Sequence, residues 1–248
     1  MTDTSAIVVT GTSRGIGSAI ARALAEAGFS VACLSRKGKG VEDVATEGEA
    51  AERLHAYAAD VTDLASIKDA LARVQADFGG IRGLVNNAGI QKDGPSAEFS
   101  TEDFMEVLGT NVMSAFQVSR EAYPYLRERD SSLIVNIGSF YDRLGVPLNT
   151  AYCASKAAVG AITRCLAVEW AREHIRVLNV APGFIATDLN REYLEQERFQ
   201  KYLRRRVPVG RPGAAEEIGA VVRSLFTTEI GFLTGETIYV DGAQGING

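Results

Sequence analysis

The residues best suited to chemistry are Ser139, Tyr152 and Lys156. Tyr152 and Lys156 stand four apart in a helical pattern, which turns both side chains to one face. A free phenol has a pKa of about 10, too high for ready ionisation at neutrality, and a neighbouring ammonium favours the ionised form. Such a tyrosine can give a proton to a developing alkoxide or take it back, while a serine hydroxyl holds the carbonyl oxygen. Taken singly, each of the three is also an ordinary polar residue. The reading therefore depends on what surrounds them.

A second constellation lies near the start of the chain, where Thr10-Gly11-Thr12-Ser13-Arg14-Gly15-Ile16-Gly17 follows an apolar run and opens a helical pattern. Missing side chains at Gly11, Gly15 and Gly17 let the backbone of the turn, with Ser13, Arg14 and Ile16, approach a pyrophosphate at the positive end of a helix. The spacing departs from GxGxxG and lacks the GK[ST] ending of an ATP-binding loop, which disfavours a kinase or ATPase. An NAD site of this architecture offers a carboxylate to the adenine ribose at the end of the second strand, whereas this chain reads Ser35-Arg36-Lys37. Arg36 and Arg14 bring fixed positive charge and Ser35 a hydroxyl, so NADP(H) is expected, with weaker NAD(H) use not forbidden. Asp60 and Val61 are placed to bracket an adenine, although Asp60 equally suits a turn or helix entry. Asn87, Ala88 and Gly89 follow the fourth strand at the ligand-binding edge.

Hydrophobic periodicity predicts strands over 6–10, 29–34, 54–58, 83–86, 133–137, 176–181 and 237–240. Helices are expected over 64–78, 103–126, 152–172 and 216–226, besides the one that the glycine turn opens. Short apolar strands alternating with helices are the pattern of a parallel sheet covered on both faces. The expected fold is α/β, a doubly wound Rossmann fold in a single domain over 1–248, since no linker or composition break divides the chain. The charged amphipathic stretch 188–206 reads as a substrate lid or as a solvated helical excursion.

Together, TGTSRGIG at Thr10 to Gly17, NNAG at Asn86 to Gly89, Asn111, Ser139, YCASK at Tyr152 to Lys156 and Pro182-Gly183 closely resemble the short-chain dehydrogenase/reductase family. The resemblance spans nearly the whole chain. It implies a seven-stranded parallel sheet, assembly as a homotetramer or homodimer, and a nicotinamide cofactor across the strand ends. It also implies that Asn111 supports a water-linked proton route to Lys156, and that Lys156 binds the nicotinamide ribose besides tuning Tyr152. Thr187 is implied to hold the carboxamide, with Ile185, Pro182 and Gly183 beside it. One departure is visible: Leu178 occupies the place where family members often carry asparagine, and Asn179 follows it. A nonenzymatic nucleotide-binding scaffold or sensor is the different-class alternative, and the complete Ser139, Tyr152 and Lys156 set argues against it.

For substrate, the chain resembles 3-oxoacyl carrier-protein reductases, including GFLTGETIYVDGAQ at Gly231 to Gln244. Val168 stands where a carrier-docking arginine is expected, so a carrier-protein partner is not favoured; Arg127 and Arg129 are the nearby alternatives. Tyr141, Phe184, Leu189 and Tyr193 suggest a partly apolar pocket for a small or medium carbonyl or alcohol substrate, and Arg143 is a candidate to orient an anionic one. The same side chains also suit packing or an oligomer interface.

A net charge of -5 argues against nucleic acid and acidic membrane surfaces as partners. Cys33, Cys153 and Cys165 lack CxxC spacing and read as reduced thiols, and no apolar run approaches the roughly 20 residues of a membrane span. A cytoplasmic protein is expected. His55 and His174 have no metal-ligand spacing, so no catalytic metal is implied.

Overall fold

Runs of four to eight residues rich in small and β-branched side chains form the strands, the central ones covered on both faces, and helices return the chain from one strand to the next. The computed structural model describes residues 4–39, 48–187, 196–228 and 230–247. Its principal strands are β1 (Ala6–Thr10), β2 (Val31–Ser35), β3 (Leu54–Ala58), β4 (Ile81–Asn86), β5 (Ser132–Ile137), β6 (Ile175–Pro182) and β9 (Thr237–Val240). They pair in parallel in the order β3-β2-β1-β4-β5-β6-β9. The order reverses between β1 and β4, and the crevice beyond the strand ends at such a point is where open α/β sheets bind ligands.

Alternation along the strands divides the core. Ile7 and Val9 of β1 face a cluster built with α1 (Gly15–Glu26) and α8 (Ala215–Thr227), including Ile20, Leu24, Ile218 and Val222. Ala6 and Val8 face the opposite cluster, where Leu71, Val118 and Leu166 come from α3 (Leu64–Phe78), α5 (Ser114–Leu126) and α6 (Thr150–Trp170). Each fully buried Leu or Ile contributes about 1.5–3 kcal/mol. Gly219 lets α8 close on α1, since a Cβ there would stand 2.8 Å from the Ala19 carbonyl oxygen.

The expected continuous helix 103–126 is a correction. The chain instead runs through α4 (Thr101–Leu108), a wider π turn at Gly109–Met113, and α5. The Ser114 hydroxyl donates to the Thr110 carbonyl within this irregular stretch. A two-residue pair, β7 (Ile185–Ala186) with β8 (Gly213–Ala214), ties the chain after Gly183 to the entry of α8. The short helix α2 (Glu49–Glu52) precedes β3, and α7 (Glu197–Arg206) covers the C-terminal side of the crevice. Residues 188–195 of the expected lid, with Leu189 and Tyr193, lie outside the described residues. Among the described residues no helix is long and apolar enough to cross a membrane, and no three His, Cys, Asp or Glu side chains gather as metal ligands.

Candidate active site

A cleft of about 1570 Å³ runs along the strand ends. At its nucleotide end Gly11 and Gly15 adopt φ of +72° and +59°, the left-handed region that favours glycine. A Cβ on Gly17 would stand 2.2 Å from the Gly11 carbonyl oxygen, so the turn has no room for a side chain. Arg14 caps α1 without a side-chain hydrogen bond, leaving the first amides of the helix for an anion. Ser13, Ile16, Ser35, Arg36, Asp60, Val61, Asn87, Ala88 and Gly89 line the same cleft, as do Gly11, Arg14, Gly15 and Gly17. A tight glycine cradle beneath a helix N-terminus, with the exposed guanidinium groups of Arg14 and Arg36 nearby, fits a phosphorylated dinucleotide.

Three of these side chains also make hydrogen bonds within the protein. The Ser35 hydroxyl donates to the Lys39 carbonyl at 2.9 Å and accepts from its amide at 3.2 Å, so it braces the 35–39 turn. Asn87 donates its side-chain amide to the carbonyls of Thr10 and Gly11, at 3.0 and 3.1 Å, and thereby holds the glycine turn. Asp60 accepts from the Thr62 amide and hydroxyl at 2.9 and 2.7 Å, closing a turn. Those bonds, with Arg36 as a lesser contributor, lower the Asp60 pKa.

The chemical end is assembled from β5, β6 and α6. Ser139, buried just beyond β5, accepts from the Tyr141 amide at 3.2 Å and starts the single turn Phe140–Arg143. Lys156 is buried, and its Nζ donates to the Ile137 carbonyl at 2.8 Å, 5.5 Å from the Tyr152 ring centroid. Burial pushes the Tyr152 phenol up to about 12, with the neighbouring Ser139 hydroxyl acting in the lowering direction. Burial likewise brings Lys156 down to about 8. Burial is the largest influence on the phenol, in the direction opposite to the lowering expected from a neighbouring ammonium.

Pro182, Gly183, Ile185 and Thr187 line the cleft beyond β6. Gly183 is required by close approach, since its Cβ would lie 2.7 Å from the Asp241 Cα. Asn111 sits in the π turn behind the lining rather than in it. Its Oδ1 accepts from the Ile90 amide at 2.8 Å, and its Nδ2 donates to the Ile90 carbonyl at 2.9 Å and to Ser155 Oγ at 3.0 Å. The side chain is therefore a brace between the chain after β4 and the helix that carries Tyr152 and Lys156.

The Leu178 departure has a local explanation. Leu178 packs in the α1/α8 cluster, and Asn179, in register with Asn136, donates to Thr237 Oγ1 at 3.1 Å. Gly138 leaves room for it, since a Cβ there would stand 2.6 Å from the Asn179 side-chain oxygen and force that side chain to shift.

Arg143 is a correction as well. Its guanidinium lies 3.7 Å from the Tyr239 ring centroid and 3.7 Å from Asp241 Oδ2, turned to the C-terminal segment and absent from the cleft lining. Sequence reasoning missed Gln91, Asp93, Asn149, Arg198, Phe199 and Tyr202, all of which line the cleft. The available signal was Phe199 and Tyr202 at helical spacing in an otherwise charged stretch.

The profile of the Enoyl-(Acyl carrier protein) reductase family matches residues 11–244. A gluconate 5-dehydrogenase of Gluconobacter oxydans is 36% identical over 237 residues, covering 95% of this chain and 92% of its own. A 3-oxoacyl-[acyl-carrier-protein] reductase of Haemophilus influenzae is 38% identical over 243 residues, covering 95% and 96%. The crystal structure of a gluconate 5-dehydrogenase from Burkholderia cenocepacia, in complex with NADP and tartrate, superposes with a TM-score of 0.91 at 31% identity, covering 99% of this chain and 97% of that one. With glycine turn, Ser139, Tyr152 and Lys156 brought to one cleft, the chain belongs to the short-chain dehydrogenase/reductase family and is an NAD(P)-dependent oxidoreductase.

Proposed function

We propose that the protein reduces a carbonyl to a secondary alcohol with NADPH, and reverses the reaction with NADP+, using Ser139, Tyr152 and Lys156. The observation that carries this reading is that Ser139, Tyr152 and Lys156 all line the cleft that begins at the glycine turn. NADP(H) supplies or accepts the hydride. Ser139 holds the carbonyl oxygen, and Tyr152 delivers its phenolic proton to that oxygen as charge develops. Lys156, one helical turn on, orients the site from the Ile137 carbonyl and holds a proton beside the phenol. Asn111 fixes the helix that carries both, and its proton-route role is part of this proposal. Arg14 and Arg36 support NADPH over NADH, with NADH as a weaker alternative.

The expected substrate is a small or medium ketone. Carrier-protein docking finds little support: Val168 is 81% exposed, while Arg127 pairs with Glu173 at 3.5 Å and covers the Tyr123 ring. Assembly with further copies of the chain belongs to the same proposal, supported by the fully exposed Phe232. Replacing Tyr152 by Phe tests the central reading. Turnover across a responsive ketone panel should fall by about 10² to 10⁴ with NADPH binding retained; undiminished turnover refutes it.

A further inference from the structure

An aromatic wall leads away from the proposed proton donor. Tyr141 stands edge-on to Tyr152 with centroids 5.9 Å apart and to Phe184 at 6.3 Å. Phe184 in turn meets Phe199 at 5.4 Å and Tyr202 at 6.0 Å, and the last two rings stack at 5.6 Å. All five rings line the cleft, and Tyr202 remains 41% exposed, a large aromatic surface on the wall of a binding cleft. Rings in edge-on contact leave their faces and outer edges for a further ring, the geometry aromatic pairs prefer.

The wall is also uncharged. Burial, then the neighbouring Tyr202, Cys153, Tyr152 and Asp93, push the Tyr141 phenol far above its ordinary value, so it keeps its proton at working pH. Asp93 and Glu106 line the cleft as exposed side chains, and Glu106 is paired with Lys92, so neither sets a strong local charge. Arg198 of α7 also lines the cleft but is exposed, where its charge is screened.

We propose that this wall receives a flat, uncharged ring, so that the enzyme acts on ketones bearing an aryl group beside the carbonyl and on the matching alcohols. The inference rests on Tyr152 as proton donor. Its test compares kcat/KM with NADPH for acetophenone, for 2-octanone with the same number of carbons, and for 5-ketogluconate. Saturation-transfer NMR of acetophenone with the NADP+-loaded protein reads binding apart from turnover. Acetophenone should be favoured by about tenfold over both competitors. Tyr202→Leu and Tyr141→Leu should erase that preference through KM, whereas Tyr141→Phe, which keeps the ring, should retain it. Equal use of acetophenone and 2-octanone overturns the proposal, as does an aryl preference unchanged in both leucine variants. So does absence of both acetophenone turnover and binding, or a preference for 5-ketogluconate that Arg198→Ala removes. Undiminished turnover in Tyr152→Phe would instead strike the underlying reading, so the two failures are distinguishable.

Discussion

The nucleotide and substrate ends of the cleft are positioned by different means. At the nucleotide end the backbone defines the shape: Gly11, Gly15 and Gly17 leave no room for side chains, and Asn87 and Thr10 tie the turn to β4. Those residues are continuous with the main core through β1 and α1. At the substrate end, α7 rests on its own small cluster of Phe199, Leu203 and Val207, with Phe184 against it. Side chains define the shape there. A backbone-defined site fails when an atom is added, and a side-chain-defined site changes its preference when a ring is exchanged.

The largest effect that would break this comparison is expected at Gly17. In Gly17→Ala the new methyl would lie 2.2 Å from the Gly11 carbonyl oxygen and 2.4 Å from the Asn87 amide nitrogen, so the turn has to open. NADPH affinity should fall more than roughly 100-fold, a loss of about 2.7 kcal/mol or more. Titration by cofactor fluorescence, with Tm as a control for folding, reads it. Tyr202→Leu should leave the NADPH Kd within about twofold. Equal losses in the two variants would erase the distinction between the ends.

Next in size is the response to pH. Burial raises Tyr152 to about 12, so the phenol keeps its proton through neutral and moderately alkaline conditions. Lys156 is lowered to about 8, so its ammonium is present below that pH and lost above it. Reduction should therefore hold steady through neutrality and decline above pH about 8, approaching a tenfold fall in kcat/KM per unit, while oxidation gains from phenolate as pH rises. These limbs require chemistry to limit the rate, which a deuterium isotope effect with labelled NADPH establishes. Matching profiles in both directions under that condition would remove the assigned proton roles.

The same contrast governs what was legible in the sequence. Strands 54–58 and 237–240 and the helix 64–78 coincide with β3, β9 and α3, because apolar period and turn residues agree at their ends. The residues lining the glycine-turn end of the cleft were legible because glycine turns and strand ends lie where the backbone alone sets position. The π turn was not, since Gly109–Met113 breaks no apolar period, and the bonds of Asn111 within it to Ile90 and Ser155 join segments distant in sequence. Nor was the direction of Arg143, which depends on Tyr239 and Asp241 arriving from the far end of the chain. Hydroxyl and amide partners chosen within a turn, such as Ser35 with Lys39, are likewise decided by geometry that residue type does not carry.

The smallest expected effect concerns the cofactor phosphate. Arg14 and Arg36 line the nucleotide end with exposed side chains, while Ser35 is committed to Lys39, so discrimination falls to the two guanidinium groups. A charge-assisted hydrogen bond contributes about 1.5–3 kcal/mol before screening, and exposure reduces that gain. A net contribution of about 1.4 kcal/mol gives roughly tenfold preference for NADPH over NADH. NADH leaves both arginines hydrated at little penalty, so its use should be weaker rather than absent. Arg36→Ala should bring the ratio of kcat/KM values close to one, and Arg14→Ala should lower it by a smaller factor, each with little change in turnover at saturating cofactor. A ratio near one in the unaltered enzyme, or a ratio unmoved in both variants, would place phosphate recognition elsewhere and leave the backbone cradle as the sole determinant of this end.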